Sequence, residues 1–325
     1  MSGIPEYVDE ILQTLEHGGY EAWCVGGCVR DRILGREPQD WDVTASARPE
    51  QTMALFERTV PTGVKHGTVT VLTEDGPVEV TTFRREGGYA DGRHPDGVSF
   101  DVGLTEDLAR RDFTINAMAL GPDGAVIDPF GGQEDLKKKL LRCVGDPDRR
   151  FAEDALRMLR GVRFAAQLGF DIEGGTHAAM ARNGHRSALL SGERVKAELE
   201  KTLLSPRPEL AGEMVRLGLL SHLYAFPADF DLSGLSCVPA EQKARWRGFC
   251  AATGFPITAL PVERALWRGV EHPEAELIPT LALKPRDLMV LGLEGPAISA
   301  AQKKLALHVL DHPEDNEAEK LKKLL

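Results

Sequence analysis

The sequence predicts an α/β head on a small, mainly antiparallel sheet, followed by a remainder made entirely of helices. Three observations carry that expectation. Strand and helix signals alternate up to about residue 142, and from about residue 150 the strand signals almost vanish. Between them, two acids, Asp40 and Asp42, alternate on an extended segment shortly after the paired glycines Gly26-Gly27. The composition, 42% hydrophobic and 27% charged over 325 residues, is that of a globular chain with material for two or three domains. Charges interrupt every apolar run, so no leader or membrane span is expected and the cytoplasm is the expected location. Cys24, Cys28, Cys143, Cys237 and Cys250 are odd in number and form no CxxC pair, which reads as free thiols in a reducing compartment. A net charge of −11 weighs mildly against a nucleic-acid partner, although locally clustered bases override an average.

Each element follows from its own pattern. Residues 5–17 carry Val8, Ile11, Leu12 and Leu15 at helical spacing, and Gly18-Gly19 ends that helix. YEAWCVGG is a short strand entering a glycine turn, RDRILG opens a helix, and DWDVTAS is a strand. ARPEQTMALFE reads as a helix with Pro49 in its first turn. GTVTVLTEDGPVEVTTF alternates on both sides of Asp75-Gly76, a hairpin signal. Residues 84–99, with four glycines and no apolar period, read as a long loop. Helical spacing then returns through TEDLARRDFTINAMAL and, after a turn, through GGQEDLKKKLL. Further helices are expected at 151–168, 174–183, 191–204, 208–219, 239–252, 260–269, 284–291 and 295–310, with a last charged one at the end. The expected division is a head over 1–142, a helical neck over 143–205, and a helical body with a short tail over 206–325.

Acids spaced i, i+2 point the same way only on a strand, so Asp40 and Asp42 project to one face and repel. A pair of divalent cations would offset that repulsion. Glu79 lies between Val78 and Val80 on a later strand, where it could supply a third oxygen ligand suited to magnesium. Two such ions ~4 Å apart would align an attacking hydroxyl with a leaving pyrophosphate. Gly26-Gly27 lets backbone N–H groups approach a triphosphate, and Arg30 is placed to clamp it.

The paired glycines followed by an acid–hydrophobe–acid strand resemble the nucleotidyltransferase superfamily that includes DNA polymerase β. The longer string GGCVRDRILGREPQDWDVT resembles its class II branch, the bacterial and eukaryotic tRNA CCA-adding enzymes and bacterial poly(A) polymerases. RRDFTINAMA, DPFGGQEDL, EDALRMLRGVRFAAQLGF and GERVKAELEKTLLS follow in the family's order. The resemblance implies a polymerase-β-like sheet in the head and a magnesium-dependent transfer of nucleotides from CTP and ATP to the 3′ end of tRNA. It covers residues 1 to about 205 strongly and the remainder loosely.

The neck helix has its own chemical logic. Asp154, Arg157, Arg160 and Arg163 step by three, filling one half of a helix, while Leu156, Met158, Leu159, Val162 and Ala166 fill most of the other. Such a face is also what a solvated salt-bridge array looks like, and periodicity alone does not separate the two. As a reading head it suits cytosine and adenine. Both present an amino donor beside a ring-nitrogen acceptor, matching an Asp that accepts and an Arg that donates. Uracil and guanine present the opposite order and leave buried groups unpaired, at about 1–3 kcal/mol each. The resemblance gives base recognition to Asp154 and Arg157, and support of the nucleotide to Arg160 and Arg163.

By the same resemblance Gly27 and Arg30 meet the triphosphate, Arg111 contacts the nucleotide, and Asp112 with Asn116 recognises the ribose. In relatives the loop holding Arg84, Asp91 and Arg93 helps convert the pocket from C to A addition. His66 is read as a packed turn residue with no role. VKHGTVTV stands where poly(A) polymerases carry a basic signature, which favours full CCA addition; an enzyme adding only the A shares nearly all these motifs. An antibiotic-modifying nucleotidyltransferase would lack the arginine helix and the long helical body. A non-catalytic RNA-binding module would show broken acids. The body is expected to hold the acceptor and T arms of tRNA, with Lys243, Arg245, Arg247, Lys284, Arg286, Lys303 and Lys304 as candidate contacts and few acids along the path. A homodimer is left open, and no phosphohydrolase motif follows.

Overall fold

The computed structural model describes residues 3–87 and 97–325. Helix α1 (Glu6–His17) buries Val8, Ile11, Leu12 and Leu15, the four residues its sequence spacing aligns. Then come β1 (Ala22–Val25), α2 (Gly27–Ile33), β2 (Asp42–Ala45), α3 (Pro49–Leu55), β3 (Thr59–Gly63), β4 (Thr68–Leu72) and β5 (Pro77–Thr82). After β5 come β6 (Arg85–Glu86), β7 (Val98–Ser99), α4 (Leu104–Ala109), β8 (Ala119–Leu120), β9 (Val126–Ile127) and α5 (Gly132–Lys138). Seven of these strands form one sheet in the order β3-β4-β5-β2-β1-β8-β9. All neighbours are antiparallel except β2 and β5, which run parallel with Asp42 in register with Glu79. The valines explain the pairing: Val69 and Val71 on β4 and Val78 and Val80 on β5 are all buried, while the residues between them point away.

The helical remainder begins with β10 (Leu140–Leu141), α6 (Pro147–Glu153), α7 (Leu156–Leu168), β11 (Asp171–Ile172), α8 (Gly174–Asn183) and α9 (Gly192–Leu203). It continues through α10 (Ala211–Arg216), α11 (Gln242–Thr253), α12 (Arg264–Glu271), α13 (Glu274–Leu277), α14 (Pro285–Val290), α15 (Pro296–Asp311) and α16 (Ala318–Lys322). One continuous core runs from Val8 to Val270 and joins the sheet to these helices. A second, smaller core gathers Leu281, Leu283, Leu288, Leu305 and Leu321. No described helix is long and apolar enough to cross a membrane.

Four expectations are corrected. The helix read across 105–120 stops at Ala109; Thr114–Asn116 form a single 3₁₀ turn and Ala119 already belongs to the sheet. Asp112 caps its own neighbour Phe113 at 2.9 Å, a local bond that competes with helix. The helix read across 151–168 is two helices, because Asp154 adopts an extended conformation (φ −145°, ψ 109°). Its carboxylate accepts from the N–H of Leu156 at 3.0 Å and so starts α7 afresh. The loop read across 84–99 is closed at its base by a β6–β7 ribbon, Arg85 opposite Ser99; Asp91 and Arg93 lie outside the described residues. Finally, β10 and β11 add a two-residue parallel ladder that the helical pattern hides.

Helix α7 packs on α9 through apolar contacts and one buried ion pair. Gly161 leaves room for its neighbours, since a Cβ there would lie 2.3 Å from Met180 Cε and 3.0 Å from Phe113 Cζ. Arg163, expected on the open face, is 8% exposed and donates to Glu198 at 2.5 Å and to Gln167 at 2.9 Å. Glu198→Ala would strand the Arg163 charge in the interior. That should cost ~3–5 kcal/mol of stability, read as a lowered urea midpoint. A loss below about 1 kcal/mol would mean that Arg163 finds water when its partner is gone.

Candidate active site

The glycine turn sets one wall. Gly26 sits at φ 81°, ψ −129°, a conformation open only to glycine, and a Cβ on it would lie 3.0 Å from Arg111 Nη1. The turn leads into α2, which aims Gly27 and Arg30 at a cleft of about 610 Å³ between the sheet and α7. Trp41 is buried in the core, so the acids on either side of it, Asp40 and Asp42, face outward into the same cleft. Glu79 stands in register with Asp42 on the neighbouring strand but does not itself line the cleft.

Ten of the residues singled out from sequence come together there: Gly27, Arg30, Asp40, Asp42, Arg111, Asp112, Asn116, Asp154, Arg157 and Arg160. Arg163 does not join them, being turned to Glu198. The opposite wall is a hydrogen-bonded chain. Arg30 Nη1 donates to Asn116 at 2.8 Å, Asn116 Nδ2 donates to Asp112 at 3.2 Å, and Arg160 Nε donates to Asp112 at 2.8 Å. Burial alone would raise the Asp112 carboxyl, but the Arg160 charge and the bonds from Arg160 and Asn116 hold it at about 2. Arg157 donates to Glu153 at 3.1 Å and to the carbonyl of Arg110 at 2.9 Å, while Arg194 holds Asp154 at 2.8 Å.

Sequence reasoning assigned no site role to Arg194, Phe164 or Leu156, nor to Arg110 by itself, yet all four line the cleft. Arg194 lies in the GERVK motif of α9, whose place in the motif order was the available signal. Phe164 had none: its ring centroid lies 5.3, 5.2 and 4.0 Å from the guanidinium carbons of Arg30, Arg160 and Arg163, spacing three cations around one aromatic ring. Arg111 Nε and Arg194 Nη1 are buried without a protein partner, two donors that an anion entering the cleft would satisfy.

The acid wall is only partly relieved by its neighbours. Burial, then the Glu79 charge, raise the Asp42 carboxyl above its ordinary value; Arg111 opposes this and Asp40 adds to it. Crowded, hard oxygen donors of this kind fit a divalent cation. Among the described residues no three acids, histidines or cysteines close a cage, so phosphate and water oxygens would have to complete the shell, as is usual for magnesium.

The family model for the poly A polymerase head domain matches residues 22–142, and that for a probable RNA and SrmB-binding site of polymerase A matches residues 169–228. The Bacillus stearothermophilus CCA-adding enzyme, solved in complex with CTP, superposes with a TM-score of 0.71 at 30% identity, covering 96% of this chain and 94% of that one. The chain belongs to the class II tRNA nucleotidyltransferase and bacterial poly(A) polymerase family. The CCA-adding enzyme of Anoxybacillus flavithermus is 44% identical over 253 residues, 75% of this chain and 63% of the relative. That of Lactiplantibacillus plantarum is 52% identical over 257 residues, 79% of this chain and 60% of the relative. The chain thus spans about three fifths of the length of these curated relatives. The family's head corresponds to the sheet that carries the acids, and its RNA-binding segment begins just past the end of α7.

The raised Asp42 has a consequence for stability. A carboxyl whose folded pKa exceeds its unfolded one destabilises the fold at neutral pH, and lowering the pH through the folded value relieves the cost. Asp42→Asn should therefore raise the melting temperature of the metal-free protein at pH 7. The gap between variant and parent should narrow on acidification. A melting temperature that falls at pH 7 would contradict the crowding.

Proposed function

We propose that this chain adds C, C and A without a template to the 3′ end of tRNA, using CTP and ATP and releasing pyrophosphate. The observation that carries this reading is a single cleft joining the acids Asp40 and Asp42 to the base-facing pair Asp154 and Arg157. A nucleoside triphosphate spans those two ends, and a cleft of about 610 Å³ is of the size that takes such a ligand.

In this reading Asp40 and Asp42 hold magnesium, with Glu79 supporting Asp42 from the next strand. When bound, the metal supplies charge to lower the barrier for the 3′-hydroxyl and the leaving pyrophosphate. The remaining work belongs to the chain. Gly27 N–H, Arg30 and Arg111 receive the triphosphate, and the open donor on Arg111 has no other partner. Asp112 and Asn116 meet the ribose, their geometry held by Arg30 and Arg160. The Asp154 carboxylate, fixed by Arg194 and the Leu156 N–H, accepts from the amino group of cytosine or adenine. Arg157 donates to the ring nitrogen, and Arg160 and Arg163 brace the reading helix through Asp112 and Glu198. The 3′-hydroxyl of the tRNA then attacks the α-phosphorus in line and the bond to pyrophosphate breaks.

The division of labour proposed is a catalytic head over 1–142, a base-reading neck over 143–205, and a tRNA-holding body and tail over 206–325. The body's basic set is smaller than its sequence suggests. Arg245 is only 5% exposed, Arg247 donates to the carbonyl of Gly269 at 3.0 Å, Lys243 pairs with Glu276, and Lys303 lies 3.5 Å from Glu274. Lys284 donates to the carbonyl of Pro279 at 2.9 Å and Lys304 to that of Leu324, which leaves Arg286 in α14 as the better candidate for phosphate contact.

Labelled CTP and ATP are offered with three tRNA transcripts, ending at the discriminator base, at C and at CC. Ordered extension of all three to CCA is expected; ATP addition to the CC-ending transcript alone would identify an A-adding enzyme. Asp40→Ala and Asp42→Ala should abolish transfer while tRNA still binds. Residual activity within tenfold of the parent would break the metal assignment.

A further inference from the structure

Asp107 takes no part in the chemistry described above, yet it is fully buried and held by Arg110, Arg111 and the backbone of Arg84. Its Oδ1 accepts from Arg110 Nε at 2.9 Å and from the backbone N–H of Arg84 at 3.3 Å. Its Oδ2 accepts from Arg111 Nη2 at 3.3 Å and lies 3.4 Å from the Thr44 hydroxyl. Thr44 lies two residues beyond Asp42 on β2, and its hydroxyl also reaches the carbonyl of Thr81, two residues beyond Glu79 on β5. Asp107 is therefore seated on the face that presents the acids, one side-chain position further along both strands.

Arg111 connects the two ends of that face. Its Nη2 is bonded to Asp107, its Nη1 passes over Gly26, its Nε has no partner, and its charge acts on Asp42. A guanidinium between two carboxylates settles on the one that offers hydrogen bonds in a fixed frame, and only Asp107 is so framed. Without that anchor the nearest acids are Asp42 and Asp40, and a bidentate pair with either would occupy the lone pairs a cation requires. We propose that Asp107 is a positioning residue that holds Arg111 off the Asp40–Asp42 pair and so keeps both acids open to a divalent cation. The inference rests on the preceding reading of those two acids as the metal ligands.

The test is binding, not turnover. Mn²⁺ is titrated into the full-length protein without nucleotide or RNA, and free Mn²⁺ is read by its electron paramagnetic resonance signal. Asp107→Asn should weaken Mn²⁺ binding at least fivefold, and Asp107→Glu, which keeps the charge, should stay within twofold of the parent. Arg111→Gln should tighten binding at least twofold, and adding Asp107→Asn to it should then change affinity by less than twofold. A purely structural role would give an equal loss in both backgrounds, which overturns the proposal, as does Asp107→Asn binding like the parent. If Asp107→Asn does not fold, Arg111→Gln decides: no tightening removes the competitor on which the proposal depends. Mn²⁺ binding that survives Asp42→Asn unchanged would instead bring down the metal reading beneath it.

Discussion

Like charges held together against their own repulsion are the constraint on which this molecule turns. One parallel strand pair sets Asp42 beside Glu79, and the buried Trp41 forces Asp40 out on the same side. No rearrangement of rotamers separates acids fixed by register, because a one-residue slip would carry every valine of β5 out of the core. The sheet's apolar pairing thus supplies the energy that keeps the acids crowded. The strain lies in the site and its compensation lies in the core.

The facing wall solves the opposite problem. Arg30, Arg110, Arg111, Arg157, Arg160 and Arg194 converge on one cleft, and each would repel the others if left mobile. Every one is tied by at least one hydrogen bond to a carboxylate, an amide or a carbonyl, and Phe164 separates three guanidiniums on its ring. The cost of burying these cations is met before any ligand arrives, which is what preorganisation means for an anionic substrate. Asp112 shows the balance most clearly: full burial is outweighed by Arg160 and Asn116, and it stays ionised well into acid.

Much of this was legible in the chain. Period-two valines around Asp75-Gly76 gave the hairpin, and alternation around Trp41 gave the outward acids, because burial acts on each side chain singly. The paired glycines, the acids and the arginine helix also stand in a fixed order along the sequence. What could not be read was where a side chain takes over from the backbone. Asp154 interrupts a helix by capping the next one, and periodicity passes through a single extended residue almost in phase. Arg163 fits the open face by spacing, but Glu198, 35 residues later, draws it inside. Arg194 meets Asp154 from another helix and Phe164 meets Arg30 from the head, contacts that no local window contains.

The second core carries a different meaning. Leu281, Leu283, Leu288, Leu305 and Leu321 close on one another and share no buried cluster with the sheet or the neck. Cooperativity follows continuous apolar packing, and that packing thins between this cluster and the rest of the molecule. Few large side chains fill the cluster, so the amides of this far end are expected to exchange with solvent ahead of those of the acid-bearing strands.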